Sequence, residues 1–182
     1  MNHTLQEFDQ VVAECKDIFI KKMHDYGTAW RILRLPSITD QIYIKAQRIR
    51  SIEEKGVSRI SEGIRSEFVG IVNYAVMSQM QLALGAAASI DDCKMDTDKA
   101  VSQYELYVQK AKDLLTDKNH DYDEAWRNMR ISSLTDIILM KLLRIKQIEN
   151  LDEQTLISEG LAANYYDIFN YAIFALIKLT VK

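Results

Sequence analysis

Two lysines stand where apolar residues belong. Positions 38, 42, 45, 49 and 52 read Ile, Ile, Lys, Ile, Ile, and positions 134, 138, 141, 145 and 148 read Leu, Ile, Lys, Ile, Ile. That spacing is one stripe of an amphipathic helix, so Lys45 and Lys141 each interrupt a buried seam. Removing an ammonium group from water without a partner costs several kcal/mol. Each lysine must meet a carboxylate inside, serve an anionic ligand, or bury its stem while its head snorkels to solvent. Around Lys141, the residues Ile137, Leu139, Met140, Leu142 and Leu143 make the helix apolar almost all round, which favours burial.

Acids and amides recur on a further helix. Glu159, Asp167 and Asn170 lie at i, i+8 and i+11, within roughly 80° of one another at 100° per residue, and so share a face. Asn170 stands inside IFNYAIFALI and Asn73 inside IVNYAVM, where an unpaired amide would cost about 1–3 kcal/mol. Each amide has either an interhelical partner or a ligand. Glu62 and Asn73 repeat the pattern upstream, but Gly70 stands in place of Asp167 there, with Glu67 one turn earlier.

A loop precedes each lysine helix. His24, Asp25 and Tyr26 are followed by Trp30, Arg31 and Arg34, and His120, Asp121 and Tyr122 by Trp126, Arg127 and Arg130. The tryptophans suit core plugs or base-stacking platforms. The arginines suit solvated charges or phosphate forks, as do Arg48 and Arg144 on the lysine helices. Asp40 and Asp136 close Ser-x-Thr-Asp segments with the spacing of a capping box, which explains them without a ligand. His24 and His120 lack a second His or Cys at zinc spacing, and no Ser-His-Asp, GxxxxGK[ST] or GxGxxG signature is present. Covalent catalysis has no candidate.

These residues come in pairs because the chain is duplicated. Shifted by 96 positions, residues 22–53 match the later segment at 17 of 32 positions, which chance does not produce. Upstream, Leu5, Phe8, Val12, Cys15 and Phe19 fall on Val101, Tyr104, Val108, Ala111 and Leu115. With one inserted residue, Asn73-Tyr74 falls on Asn170-Tyr171. Apolar positions drift between the copies, as core packing allows when volume is kept. The pairs His24/His120, Asp25/Asp121, Tyr26/Tyr122, Trp30/Trp126, Arg31/Arg127, Arg34/Arg130, Asp40/Asp136, Lys45/Lys141, Arg48/Arg144 and Glu53/Glu149 stay identical.

The elements that must position them are helices. The chain has 182 residues, 48% apolar and 27% charged, with six glycines and one proline, too few breakers for a hairpin-rich fold. Periodicity predicts helices over 3–23, 38–54 and 59–84, and again over 98–118, 134–150 and 154–180. The expected domain organisation is a first repeat over 1–84, a linker over 85–97 and a second repeat over 98–182. Units of about 80 residues bury too little surface alone, so the two should pack about a pseudo-twofold axis as one all-α fused dimer. Further self-association is compatible with this. A net charge of -3 without a basic block argues against dedicated DNA binding. No apolar run reaches the ~18 residues of a membrane span and no secretory leader stands at the N-terminus, so a cytoplasmic location is expected, with Cys15 and Cys93 reduced.

The segments HDYGTAW, R-x-x-x-S-x-TD-x5-K-x2-RI and EG...D-x2-NYA resemble nucleotide modification associated domain 1, once per copy. That family is similar, at a distance, to the all-α NTP pyrophosphatases of the MazG and dimeric dUTPase group. The resemblance implies a nucleotide or other phosphorylated small molecule as partner, and Mg²⁺ held by carboxylates while water attacks the α-phosphorus. Glu159 and Asp167 are then the candidate catalytic and metal-binding residues. The lysine near the expected position of another carboxylate offsets that charge. It admits a second arrangement, in which Lys141, Arg144 and Arg127 hold phosphates directly.

Overall fold

In a computed structural model that describes residues 2–56, 63–151 and 160–180, the chain is helical and no strand occurs among the described residues. The main helices are α1 (Asn2–Tyr26), α2 (Leu35–Lys55), α3 (Ile64–Leu84), α4 (Thr97–Tyr122), α5 (Ile131–Asn150) and α6 (Gly160–Thr180). Single 3-10 turns cover Ala29–Ile32, Asp91–Cys93 and Ala125–Asn128. The expected starts of the third and sixth helices, at 59 and 154, lie outside the described residues.

Helices α2, α3, α6 and α5 close a four-helix ring, and α1 and α4 cover its α3/α6 side. The periodic positions form one core: Phe8, Ile38, Ile42, Ile49, Phe68, Tyr104, Leu134, Ile138 and Tyr165 are all completely buried. Helices α3 and α6 are buried on nearly every side, which is why their patterns read as almost continuous apolar runs.

Contacts between the repeats are reciprocal under the 96-residue shift. Lys16 pairs with Glu105, and Lys112 pairs with Asp9 at 2.7 Å. Thr39 Oγ1 donates to Glu149 at 2.9 Å, and Thr135 Oγ1 donates to Glu53 at 2.9 Å. Arg50 pairs with Asp136 at 3.4 Å, and Lys146 with Asp40 at 3.3 Å. A contact set in which residue i meets j while the counterpart of j meets that of i is the signature of an isologous interface.

Two expectations about helix ends are corrected here. The second and fifth helices begin at Leu35 and Ile131, not at 38 and 134, and Arg34 and Arg130 are the N-caps without side-chain capping bonds. Ser37 and Ser133 thus lie inside helices, where their N–H groups bond Arg34 and Arg130 carbonyls at 3.0 Å each. The Ser-x-Thr-Asp segment is an interface motif, since its Thr and Asp reach the other repeat. The first and fourth helices run one turn further than expected, to Tyr26 and Tyr122. Gly27 ends α1 at φ +63°, and Asp123 holds the aligned place at φ +54°.

Candidate functional site

The last turns of α4 and the inner faces of α5 and α6 enclose a cleft of about 880 Å³ in the second repeat. Leu115, Trp126, Met129 and Ile148 give it an apolar wall, Tyr122 and Tyr171 add two phenol rings, and Lys118, Lys141, Arg144 and Asp167 bring charge. Asp167 is the hub. Its Oδ1 accepts from Lys118 Nζ at 2.6 Å and its Oδ2 from Lys141 Nζ at 2.8 Å. Burial opposes ionisation of this carboxyl, but the two ammonium groups outweigh it and hold Asp167 below the usual carboxylate range. Lys141, 13% exposed in its side chain, therefore meets a carboxylate inside rather than snorkelling away.

Arg144 is exposed in the same cleft and makes no ion pair or hydrogen bond among the described residues. Lys118, Lys141 and Arg144 thus face two lining acids, Asp167 and the exposed Asp123. Among the described residues the surplus is positive.

The first repeat builds a smaller cleft, about 460 Å³, from equivalent elements. With Gly70 at the Asp167 position, the acid comes from Glu67, one turn earlier, which accepts from Arg48 and lies 3.6 Å from Lys45 Nζ. Lys45 folds over the missing side chain: a Cβ on Gly70 would stand 2.8 Å from Lys45 Cε. Lys22, the counterpart of Lys118, is exposed on this cleft and has no partner among the described residues. Each cleft therefore spends two cations of a matched trio on a buried acid, Glu67 or Asp167, and among the described residues leaves over a different one, Lys22 in the first and Arg144 in the second.

A family model described as nucleotide modification associated domain 1 matches residues 22–82 and again 118–179. The chain belongs to this family. It carries the domain twice, and each match spans one lysine helix and most of the lining of one cleft. Searches of curated proteins and of solved structures returned no match.

The two domain copies gather only part of the expected set. Tyr122, Trp126, Lys141, Arg144, Asp167 and Asn170 line the second cleft, and Tyr26, Trp30, Lys45 and Asn73 the first. His24 and His120 point to solvent, each 3.2 Å from the neighbouring Asp. Arg34 and Arg130 are exposed, and Asp40 and Asp136 serve the seam between repeats. Glu62 and Glu159 lie outside the described residues.

Arg127 does not line the cleft. Its guanidinium donates to Glu7 at 2.5 Å and to Glu124 at 2.6 Å, and these acids push its ionisation further up. Arg31 donates to the Gly85 carbonyl at 2.7 Å. Trp126 stacks on Phe174 at 4.3 Å and carries the Arg127 guanidinium 4.5 Å from its ring centre, so it is a core plug with no face free for a base. Tyr122, 74% exposed at the cleft mouth, has a free ring.

Several contributors to the cleft, Tyr171 and Asn164 among them, escape pattern reading. Lys118 is identical to Lys22 under the 96-residue shift, and that identity was the available signal. Asn119 replaces Met23 and had none.

Of the two expected Mg²⁺ ligands, Glu159 and Asp167, only Asp167 lies among the described residues. Asp167 already gives both oxygens to ammonium groups, and no group of three His, Cys, Asp or Glu suited to a metal occurs among the described residues. No helix among the described residues is long and apolar enough to cross a membrane.

Proposed function

We propose that this protein binds a nucleotide in the second-repeat cleft, with phosphates on Arg144 and the neighbouring lysines and the base against Tyr122 and Tyr171. The observation that carries this reading is Arg144, a guanidinium without a partner among the described residues, in a concave, partly apolar space that also holds Lys118 and Lys141. Guanidinium forks match phosphate oxygens, and an apolar cleft with a few placed polar groups is the usual form of a small-molecule site. The family's name points the same way. Binding, rather than pyrophosphohydrolysis, suits the described residues, because Asp167 is committed to two lysines and not to a metal. The reciprocal contacts support reading the two repeats as a fused dimer that has kept one such site.

The test is calorimetry and thermal shift with NTPs and dNTPs, with and without Mg²⁺, scored in parallel for pyrophosphate release. The expected result is nucleotide-dependent stabilisation without product. Arg144→Ala should weaken binding roughly ten- to a hundred-fold, the worth of a charged hydrogen bond. No stabilisation and no release with any nucleotide overturns the reading. It would favour a purely structural role for the charges, under which replacing Lys141 and Asp167 together by apolar residues is neutral or stabilising.

A further inference from the structure

The buried amides of this fold are tied to backbone carbonyls, with one exception on the cleft wall. Asn73 donates to the Cys15 carbonyl at 3.0 Å, Asn164 to Gly160 at 2.7 Å, Asn170 to Ala111 at 3.1 Å and Gln79 to Ala162 at 2.8 Å. Asn119 is 8% exposed, lines the second cleft, and its side-chain amide has no hydrogen-bond partner among the described residues. Buried polar groups are almost always bonded, so an idle one asks for a reason. Its atoms are also not sealed in. The unpartnered side-chain atoms shut off from solvent are Trp30 Nε1, Gln81 Oε1, Trp126 Nε1 and Asn170 Oδ1, so the Asn119 amide keeps its small accessible area on the cleft side.

The fold does not need an amide there. Met23 holds the aligned position in the first repeat, is 6% exposed, and lines the smaller cleft as an ordinary apolar side chain. Asn119 lies one turn beyond Leu115 on the same face of α4, so it emerges from the apolar wall and not from the charged cluster. A carboxamide presents one acceptor and two donors in a plane. That pattern matches a heterocycle edge carrying an acceptor next to an amino or N–H group, as nucleobases do.

We infer that Asn119 reads the edge of a nucleobase in the second cleft, and that the first cleft, with Met23, has no such selectivity. This deepens the nucleotide reading above and rests on it. Lysine and arginine hold whatever phosphate arrives, while Asn119 separates a nucleotide from a bare polyphosphate and one base from another.

The test is isothermal titration of the full chain with ATP, GTP, CTP and UTP, and with inorganic tripolyphosphate as the probe without a base. The wild type should prefer at least one nucleotide over tripolyphosphate. Asn119→Met, which installs the first repeat's residue, and the near-isosteric Asn119→Leu should each erase that margin, a loss of roughly ten- to a hundred-fold. Tripolyphosphate affinity should stay unchanged in both, and an unshifted unliganded melting curve verifies the fold. Nucleotide affinity equal to wild type in both variants overturns this inference and leaves the nucleotide site standing. A wild type that binds tripolyphosphate as tightly as every nucleotide, or variants that lose both probes together, also overturns it. Failure of the wild type to bind any probe overturns the site itself.

Discussion

A single hydroxyl distinguishes the two interhelical asparagines. Asn73 has both amide heteroatoms bonded, because Tyr104 Oη donates to its Oδ1 at 2.7 Å while its Nδ2 donates to the Cys15 carbonyl. Asn170 keeps the second bond but its Oδ1 is orphaned. The aligned partner is Phe8, which is fully buried and stands 6.1 Å ring to ring from Phe169. Phe8→Tyr should therefore stabilise the protein by about 1 kcal/mol in urea unfolding, and Tyr104→Phe should cost about 1–3 kcal/mol. Asp167 gives a second expectation at this scale. Its carboxyl is held below its unfolded value, so its contribution is full above the ordinary carboxylate range near ~4 and is lost as pH falls through the depressed value. Asp167→Asn should cost about 3 kcal/mol at neutral pH, as breaking a buried pair does. That deficit against wild type should close in melts taken toward about pH 2.

At the scale of elements, the seam between α2 and α5 explains charges that pattern reading assigned to a helix start. Thr135→Val should cost about 1 kcal/mol and Thr39→Val more, about 1–3 kcal/mol, because each removes a bond to the other repeat's glutamate but Thr39 Oγ1 also bonds the buried Tyr165 hydroxyl at 2.6 Å. Ser37→Ala and Ser133→Ala should stay within about 0.5 kcal/mol, since neither serine caps a helix. Costs of a full N-cap, about 1 kcal/mol, would contradict the interior placement. The contrast shows what was legible in the sequence. Six helices and their pairing by duplication could be read, because apolar period and internal identity are one-dimensional signals. The lysine in the apolar seam left open a buried acid, an anionic ligand or a snorkelling head, and Lys141 meets Asp167 at 2.8 Å. The partner of each charge could not be read: Arg127 goes to Glu7, 120 positions away, and Thr39 to Glu149, 110 away, because neither pairing leaves a mark in local spacing. Asn119 was invisible for a related reason, since what marks it is the lack of a bonded partner among the described residues.

At the scale of the whole molecule, the linker belongs to the first repeat. Thr28 Oγ1 donates to the Cys93 carbonyl at 2.5 Å and accepts from Met95 N–H at 3.0 Å, and Ala87 N–H donates to Arg31 at 2.7 Å. Asp96 then caps α4 by accepting from Asp98 N–H at 2.7 Å. Fragments 1–95 and 96–182 keep the docked linker and the cap respectively, while splitting the α3/α6 core between them. Each alone should show little helical circular dichroism, and mixing should restore it in a 1:1 complex visible by size exclusion. Two separately folded fragments would refute the shared core. Covalent union of the repeats also changes what mutation can reach. In an assembly of identical subunits every replacement is made twice, so a change that improves one half-site burdens the other. Here glycine could take the place of an aspartate at 70 while the aspartate at 167 stayed, and two neighbouring sites could drift toward different tasks within one gene product.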